Sequence, residues 1–242
     1  MRKKKKIVLS LLKKISIFVI LIASIIGLVV FVRTALVVKE IDCQLNQIIC
    51  PGEIWMELMS LTIGKNIVFF PTKDLASQIK ESHPLLKEVK IKKSLPNRLS
   101  FELKKREPQA VLKSPQQEGF WVVDEEGCLL EKANQTELPV VLVEQSINLN
   151  VGEKVVEKET VWAVNLFKDL KLHLLTPKTA KIVSPRQIEV ELSDGLLVIF
   201  SSLKEVNFQL DSLQLIFSRS KIEGRSLKQV DLRFEKPVVI YE

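Results

Sequence analysis

Residue types that hold metals, bind nucleotides or act as catalytic bases are scarce in this chain of 242 residues. Its two histidines, His83 and His173, do not lie at metal-ligand spacing from any cysteine. Its eight glycines form no glycine-rich phosphate-binding loop. These absences argue against a zinc enzyme and against a nucleotide-binding protein, and we expect neither a metal nor a cofactor.

Two short patterns resemble catalytic or metal sites but lack the residues that would complete them. Ser77–Lys80 and Ser201–Lys204 have the Ser-x-x-Lys spacing of penicillin-interacting enzymes, without the accompanying Ser-Asp-Asn and Lys-Thr-Gly motifs. The acidic run Asp124–Glu126 lacks the spacing of a calcium loop, and we interpret it as solvated charge at the tip of a hairpin. We therefore expect no catalytic residue and no enzyme activity.

Acidic residues are absent from the first 33 positions, which hold eight of the 36 basic residues. The rest of the chain has 28 basic against 29 acidic residues, so the excess positive charge belongs to the N-terminal segment. A nearly neutral remainder lacks the clustered basic face that nucleic-acid binding requires. We interpret the basic tail as a topology signal that also favours anionic lipid headgroups.

Residues 15–32 form a run of eighteen uncharged residues, close to the roughly 20 that cross the hydrocarbon core of a bilayer. Seven basic residues precede the run and two follow closely, so the positive-inside rule places residues 1–14 in the cytoplasm and everything after Arg33 outside. A cleaved signal peptide is the competing interpretation. Neither Ala23-Ser24 nor Thr34-Ala35 gives an Ala-x-Ala cleavage pattern, so we predict an uncleaved transmembrane anchor.

The chain has only three cysteines. Cys43 and Cys50 are separated by six residues in the part predicted to face an oxidising compartment, where a disulfide could form between them. Two small buried apolar side chains are an equally good interpretation, and both stay open. Cys128 is interpreted as a buried thiol in a strand.

Residues 37–108 show the apolar spacing of a small domain with the order strand, helix, helix, strand, strand. The first helix follows Pro51, and the second is capped by Thr72 and ends before Pro84. The predicted elements are a strand over Val37–Cys43, helices with buried faces at Ile54, Leu58, Leu61 and at Leu75, Ile79, and strands with alternating apolar residues at Val89, Ile91 and at Leu99, Phe101, Leu103.

The remaining residues predict a mixed, β-rich domain with two flanking helices. Apolar residues at helical spacing mark the helices at Trp162–Leu170 and Val206–Phe217. The predicted strands are Ala110–Leu112, Phe120–Val123, Cys128–Leu130, Ile188–Leu192, Leu196–Phe200, the alternating segment Val230–Glu235, and Val238–Tyr241.

Several segments resemble motifs of the FtsQ/DivIB family of bacterial cell-division proteins. The family has a Pro-Asn turn, found here within Lys93–Leu99, and a Glu-Arg-x-Pro-x-Ala segment, which Lys105–Ala110 matches except that Lys105 replaces the glutamate. Val122–Gly127 is similar to the family's Val-Asp-x-x-Gly hairpin, and Val230–Phe234 is similar to its terminal Ile-Asp-Leu-Arg-Tyr strand. These motifs, the basic tail and the single apolar run together cover nearly the whole chain.

The resemblance implies an α+β protein with one N-terminal transmembrane helix and two further domains. We expect a basic tail over residues 1–14, the helix over 15–32, a POTRA domain of order β-α-α-β-β over 33–108, and an FtsQ-type β domain over 109–242.

The resemblance also implies a function without catalysis, at the division septum in the plasma membrane. Such a scaffold binds the small bitopic proteins FtsB and FtsL, and other division proteins through its POTRA domain, and so couples septal peptidoglycan synthesis to the cytoplasmic ring. In the family the last strands of the β domain bind the FtsB-like partner by strand addition. Carried over by position, the partner-binding residues are Asp231, Leu232, Arg233, Phe234, Val238, Val239, Ile240 and Tyr241.

Two other functions are compatible with an anchored extracytoplasmic chain. A membrane-anchored cell-wall enzyme would need a nucleophile or metal ligands that converge on one cleft. A POTRA docking module in secretion would normally occur in tandem copies or lead into a transmembrane barrel.

Overall fold

The computed structural model describes residues 2–144 and 146–242. Met1 and Gln145 lie outside this description, as do the side chains of residues 2–15 and Leu28. The seven basic side chains before the predicted span are therefore outside the described part of the chain.

The chain begins with one long helix, α1 (Arg2–Ala35). Within it, the 20 residues Ser16–Ala35 have a mean hydropathy of 2.7, and none of the side chains described in this stretch is buried. At about 1.5 Å per residue, such a segment matches a hydrocarbon core of about 30 Å. The helix extends past both ends of the predicted span, because the flanking lysines and arginines are themselves good helix formers.

The residues after α1 belong to two compact units, which divide between Lys105 and Arg106. In the first unit, the described residues form a four-stranded sheet of order β2-β1-β4-β3, in which β1 is parallel to β4 and β3 is antiparallel to β4. Its elements are β1 (Glu40–Leu45), β2 (Ile48–Ile49), α2 (Gly52–Thr62), α3 (Thr72–Ser82), β3 (Leu86–Ser94) and β4 (Arg98–Lys105).

The predicted element order of the first unit is confirmed, with β2 as an addition. The side chains of β4 that alternate in the sequence, Leu99, Phe101 and Leu103, are all buried against the two helices. Two details of the prediction were wrong. Pro71 rather than a capping side chain precedes α3, and Thr72 lies inside the first turn without a capping hydrogen bond. Strand β1 begins at Glu40, because Val37 instead makes an isolated bridge with Asn66.

In the second unit, the described residues form a nine-stranded sheet of order β13-β12-β11-β10-β9-β8-β5-β6-β7 with two helices. Phe167 of one helix and Phe200 of the sheet lie fully buried in the common core. The elements are β5 (Ala110–Lys113), β6 (Phe120–Val123), β7 (Leu129–Ala133), β8 (Val140–Leu142), α4 (Lys158–Leu172), β9 (Pro177–Ser184), β10 (Gln187–Leu192), β11 (Leu197–Phe200), α5 (Val206–Glu223), β12 (Leu227–Asp231) and β13 (Val238–Tyr241).

Three predictions in this unit need correction. Strand β12 ends at Asp231, so the alternating segment Val230–Glu235 is a strand only at its start. The cause is local: the Arg233 N–H donates to Asp231 Oδ1 at 3.0 Å and turns the chain away from the ladder. Strands β8 and β9 were not predicted. Cys128 is buried as expected but lies just before β7 rather than within it.

Candidate partner-binding edge

Strand β13 lies at one end of the nine-stranded sheet. It pairs antiparallel with β12, through pairs such as Val230↔Val239 and Asp231↔Val238. On its other side it has no neighbouring strand among the described residues. Backbone N–H and C=O groups along that side are therefore available to an added strand.

The side chains of β13 divide between the core and the surface. Val239 packs against the main core, and the guanidinium of Arg225 lies 5.0 Å from the ring centre of Tyr241. Val238 and Ile240 face outward and are 50% and 44% exposed. An exposed apolar edge strand promotes unwanted association in a soluble domain, so its presence favours a partner that covers it.

The segment between β12 and β13 is held by a lysine. Lys204 Nζ donates to the Leu232 carbonyl at 3.1 Å and to the Phe234 carbonyl at 2.6 Å. The Leu232 N–H donates to the Ile199 carbonyl at 2.9 Å and so extends the pairing with β11 by one residue. These contacts hold the segment that leads into β13 and so fix the position at which β13 starts.

An ion pair lies beside this segment. Arg233 binds both carboxylate oxygens of Asp231, with Nη2 2.6 Å from Oδ2, and its Nη1 donates to Gln187 Oε1 at 2.6 Å. Burial acts to raise the pKa of Asp231, but hydrogen bonds from Arg233 outweigh it and lower that pKa. The same pairing raises the pKa of Arg233. The guanidinium also lies 5.5 Å from the ring centre of Phe234, a half-exposed side chain.

The eight residues carried over as partner-binding do not have equal access to a partner. The side chains of Asp231 and Leu232 are buried, Leu232 to 2% exposure, and so serve the core and the ion pair. The other six are partly or well exposed: Arg233, Phe234, Val238, Val239, Ile240 and Tyr241. Sequence reasoning missed Gln187 of β10 and Arg225, which lies between α5 and β12, because no local pattern marks their contacts with these residues.

Neither Ser-x-x-Lys pattern forms a nucleophile and base pair in the described residues. Ser77 and Lys80 are exposed on α3. Lys204 donates to backbone carbonyls instead, and Ser201 is tied through its backbone to the side-chain amide of Gln209. In the described part of the chain, no group of three histidine, cysteine or acidic side chains could hold a metal ion.

The interpretation of Asp124 as solvated turn charge was wrong. Its carboxylate is 2% exposed, with Oδ2 2.5 Å from Arg106 Nη1, and Oδ1 accepts the backbone N–H groups of Glu126 and Cys128. Arg106, 10% exposed, also reaches Glu126 at 3.1 Å, and Lys154 does so at 2.6 Å. Burial acts to lower the pKa of Arg106, and these hydrogen bonds raise it above its ordinary value. Hydrogen bonds from Lys154 and Arg106 lower the pKa of Glu126.

Two segments of the chain match models of known protein families. Residues 38–106 match the family model for a POTRA domain of FtsQ type, and residues 114–233 match the model for the C-terminal part of cell division protein FtsQ/DivIB. The chain belongs to the FtsQ/DivIB family. The match ends at residue 233, so β13 lies beyond it.

Two curated FtsQ/DivIB relatives are similar over most of their length. The chain is 25% identical over 199 residues to cell division protein DivIB of Clostridium botulinum strain Loch Maree, type A3, covering 79% of this chain and 76% of the relative. It is 25% identical over 200 residues to the DivIB protein of the Hall strain, with the same coverage.

These matches confirm the resemblance and the expected fold class: an α+β chain with an N-terminal apolar helix, a POTRA domain and a β-rich domain. Family membership supports a role in cell division within a group of non-enzymatic proteins. Together with the apolar helix, it indicates a single-pass membrane protein.

Within the FtsQ-type POTRA domain, the structure joins Cys43 and Cys50 in a disulfide, with Cα atoms 5.4 Å apart. Both residues are buried, and the Cys50 N–H donates to the Cys43 carbonyl at 3.1 Å. The bond closes the β1–β2 hairpin at the start of α2.

Proposed function

We propose that the chain is a bitopic scaffold of the division machinery whose edge strand β13 binds an FtsB/FtsL-like partner. An extended partner segment would add beside β13 and continue the sheet. The observation that carries this proposal is the apolar edge of β13, where Val238 and Ile240 are exposed beside backbone groups that no strand in the described part of the chain pairs.

The side chains around β13 favour binding of a specific partner over nonspecific association. Arg233 and Phe234 form a cation–π pair next to the strand, and Arg225 covers Tyr241. Main-chain pairing would supply affinity, while these side chains would select the partner sequence.

In this proposal the basic tail lies in the cytoplasm and both folded units lie outside, at the septum. The bias of seven basic residues before the span against two after it supports that orientation. The scaffold would then couple septal peptidoglycan synthesis to the cytoplasmic ring, and its POTRA domain would contact further division proteins.

Proline substitutions in β13 test the mechanism, because proline removes a backbone donor and disturbs strand geometry. Successive N–H groups of a strand point to opposite edges. One of the two variants Val239→Pro and Ile240→Pro therefore removes a backbone donor at the open edge of β13. The other removes a donor on the side that pairs with β12. We expect at least one of them to abolish co-purification of the full-length chain with its FtsB-like partner, while the chain stays in the membrane with a folded POTRA domain.

Two control variants separate edge pairing from general damage. Ile240→Thr keeps the backbone donor and a β-branched side chain, and should retain binding. Glu131→Pro places proline in β7, the strand at the opposite end of the sheet, and should also retain binding. Retained binding in both β13 proline variants would refute strand addition there.

A further inference from the structure

The membrane helix is joined to the first unit without a free linker. Backbone hydrogen bonds tie residues 36–38 to residues 64–67, including Ile67 N–H to the Leu36 carbonyl at 2.9 Å and Val38 N–H to the Lys65 carbonyl at 2.9 Å. Val38 is buried in the core of that unit, and Leu36 packs against it. The loop that contains residues 64–69 therefore lies directly beside the end of the apolar helix.

Asn66 holds this loop beside the last turn of α1. Its Nδ2 donates to the Val32 carbonyl at 2.7 Å, and its Oδ1 accepts the N–H groups of Val68 and Phe69 at 3.0 and 3.3 Å. The last carbonyls of a helix lack intrahelical partners, and at the edge of a bilayer little water is present to replace them. Because Val32 lies before the helix end at Ala35, the loop is level with the last turn of the span.

Exposed apolar side chains gather at this level. Phe69 is 72% exposed and Val68 42%. A second turn reaches the same place, since the Asn97 carbonyl accepts the N–H groups of Lys39 and Glu40, and this turn carries Leu95, which is 67% exposed. Lys93 links the two turns by donating to the Val68 carbonyl at 3.0 Å. We call Val68, Phe69 and Leu95 the juxtamembrane patch.

The charged groups around the patch are mostly cationic. Arg33, Lys39 and Lys65 are exposed and make no ion pair among the described residues. The nearest acidic residue along β1, Glu40, is already paired with Arg98 at 2.7 Å. Apolar side chains beside unpaired cations suit the interfacial layer of a bilayer, where acyl chains meet anionic headgroups.

We propose that the juxtamembrane patch lies in the lipid interface next to the end of α1, with Arg33, Lys39 and Lys65 on anionic headgroups. The bilayer would thereby hold the first unit in one orientation rather than allow it to swing about the helix end. This inference requires α1 to span the membrane but is independent of partner binding at β13.

Fluorescence quenching in vesicles tests the contact. Phe69→Trp in the full-length chain places a fluorescent reporter in the juxtamembrane patch. The chain is inserted into vesicles whose lipids are brominated near the headgroup, so that bromine quenches a tryptophan that lies in the lipid interface. Ile49→Trp is the matched control, because Ile49 is 78% exposed but pairs with Gln44 at the far end of β1 from Glu40. The unsubstituted chain, with its three tryptophans, supplies the baseline.

We expect the emission added at position 69 to be quenched several-fold more than that added at position 49. In Phe69→Trp chains, Lys65→Glu should reduce the difference in quenching between phosphatidylglycerol and phosphatidylcholine vesicles. Equal quenching at the two positions would overturn the proposal. So would photo-cross-linking of position 69 to a protein in cells without quenching by lipid, which would make the patch a protein-docking surface.

Discussion

At the scale of single residues, Arg106 and Asp124 form the most consequential pair, because the Asp124 carboxylate is buried and only 10% of the Arg106 side chain is exposed. Removing one partner of a buried ion pair leaves the other charge uncompensated, at a cost of about 3–5 kcal/mol. We predict a loss of this order for Arg106→Met in the full-length chain, measured by thermal or urea unfolding in detergent. Arg98→Met breaks the exposed pair with Glu40 and should cost only about 0–1 kcal/mol. Comparable losses in the two variants would show that Arg106 is not a structural anchor.

The ion pair between Asp231 and Arg233 should make the second unit sensitive to acid. Because the folded state lowers the pKa of Asp231 below its ordinary value of 3.8, the stabilisation is present above that value and is lost as pH falls through the folded-state pKa. We expect Asp231→Asn to lower stability at neutral pH and to lessen the further loss below about pH 4. Parallel pH profiles for the variant and the unsubstituted chain would contradict this prediction.

The bond between Cys43 and Cys50 should also be present in protein taken from its native envelope. Closing so short a loop is expected to contribute about 2–3 kcal/mol by restricting the unfolded chain. Peptide mapping without reduction should join the two peptides, and reduction should lower the thermal stability of the first unit. Free alkylation of both cysteines before reduction would leave the alternative of two buried thiols.

At the scale of elements, Lys204 connects the turn before α5 to the segment between β12 and β13. A hydrogen bond to a charged group contributes about 1.5–3 kcal/mol, so Lys204→Met should free this segment and weaken partner binding without unfolding the sheet. Isothermal titration with the partner's extracytoplasmic part measures the effect. Lys228→Met, at an exposed position of β12, is the matched control and should bind normally. Equal affinity of the two variants would argue against a positioning role for Lys204.

Elements with strong alternation were predicted from the sequence, and elements formed by distant contacts were not. Leu99, Phe101 and Leu103 alternate with polar residues, so β4 was evident. Strand β9 has no regular alternation, and three-residue β8 is defined by parallel neighbours on both sides that local sequence does not reveal. The premature end of β12 depends on Arg233 turning back onto Asp231, a side-chain geometry that a strand pattern cannot show.

The candidate edge was located by family resemblance rather than by physical pattern. Sequence alternation could not separate the buried Leu232 from the exposed Phe234, because both fall on the same face of an ideal strand. The contacts from Gln187 and Arg225 depend on strand order, which becomes visible only in the folded sheet.

At the scale of the whole molecule, the orientation across the membrane governs every proposed interaction. With seven basic residues before the span, we predict that protease added to cells stripped of their wall digests the chain after Arg33 and spares residues 1–14. Epitope tags at the two ends, followed by immunoblotting, report which part survives, and permeabilised cells provide the control. Protection of residues 34–242 in unpermeabilised cells would reverse the topology and remove the proposed partners from reach.

Deletion of residues 238–242 in a bacterium that depends on this chain tests the proposed scaffold most directly. A fluorescent fusion reports position, and co-purification reports the FtsB-like partner. We predict that the full chain collects at mid-cell and supports septation, whereas the shortened chain stays in the membrane, loses the partner and leaves the cells as filaments. Normal division with the partner still bound to the shortened chain would contradict the account.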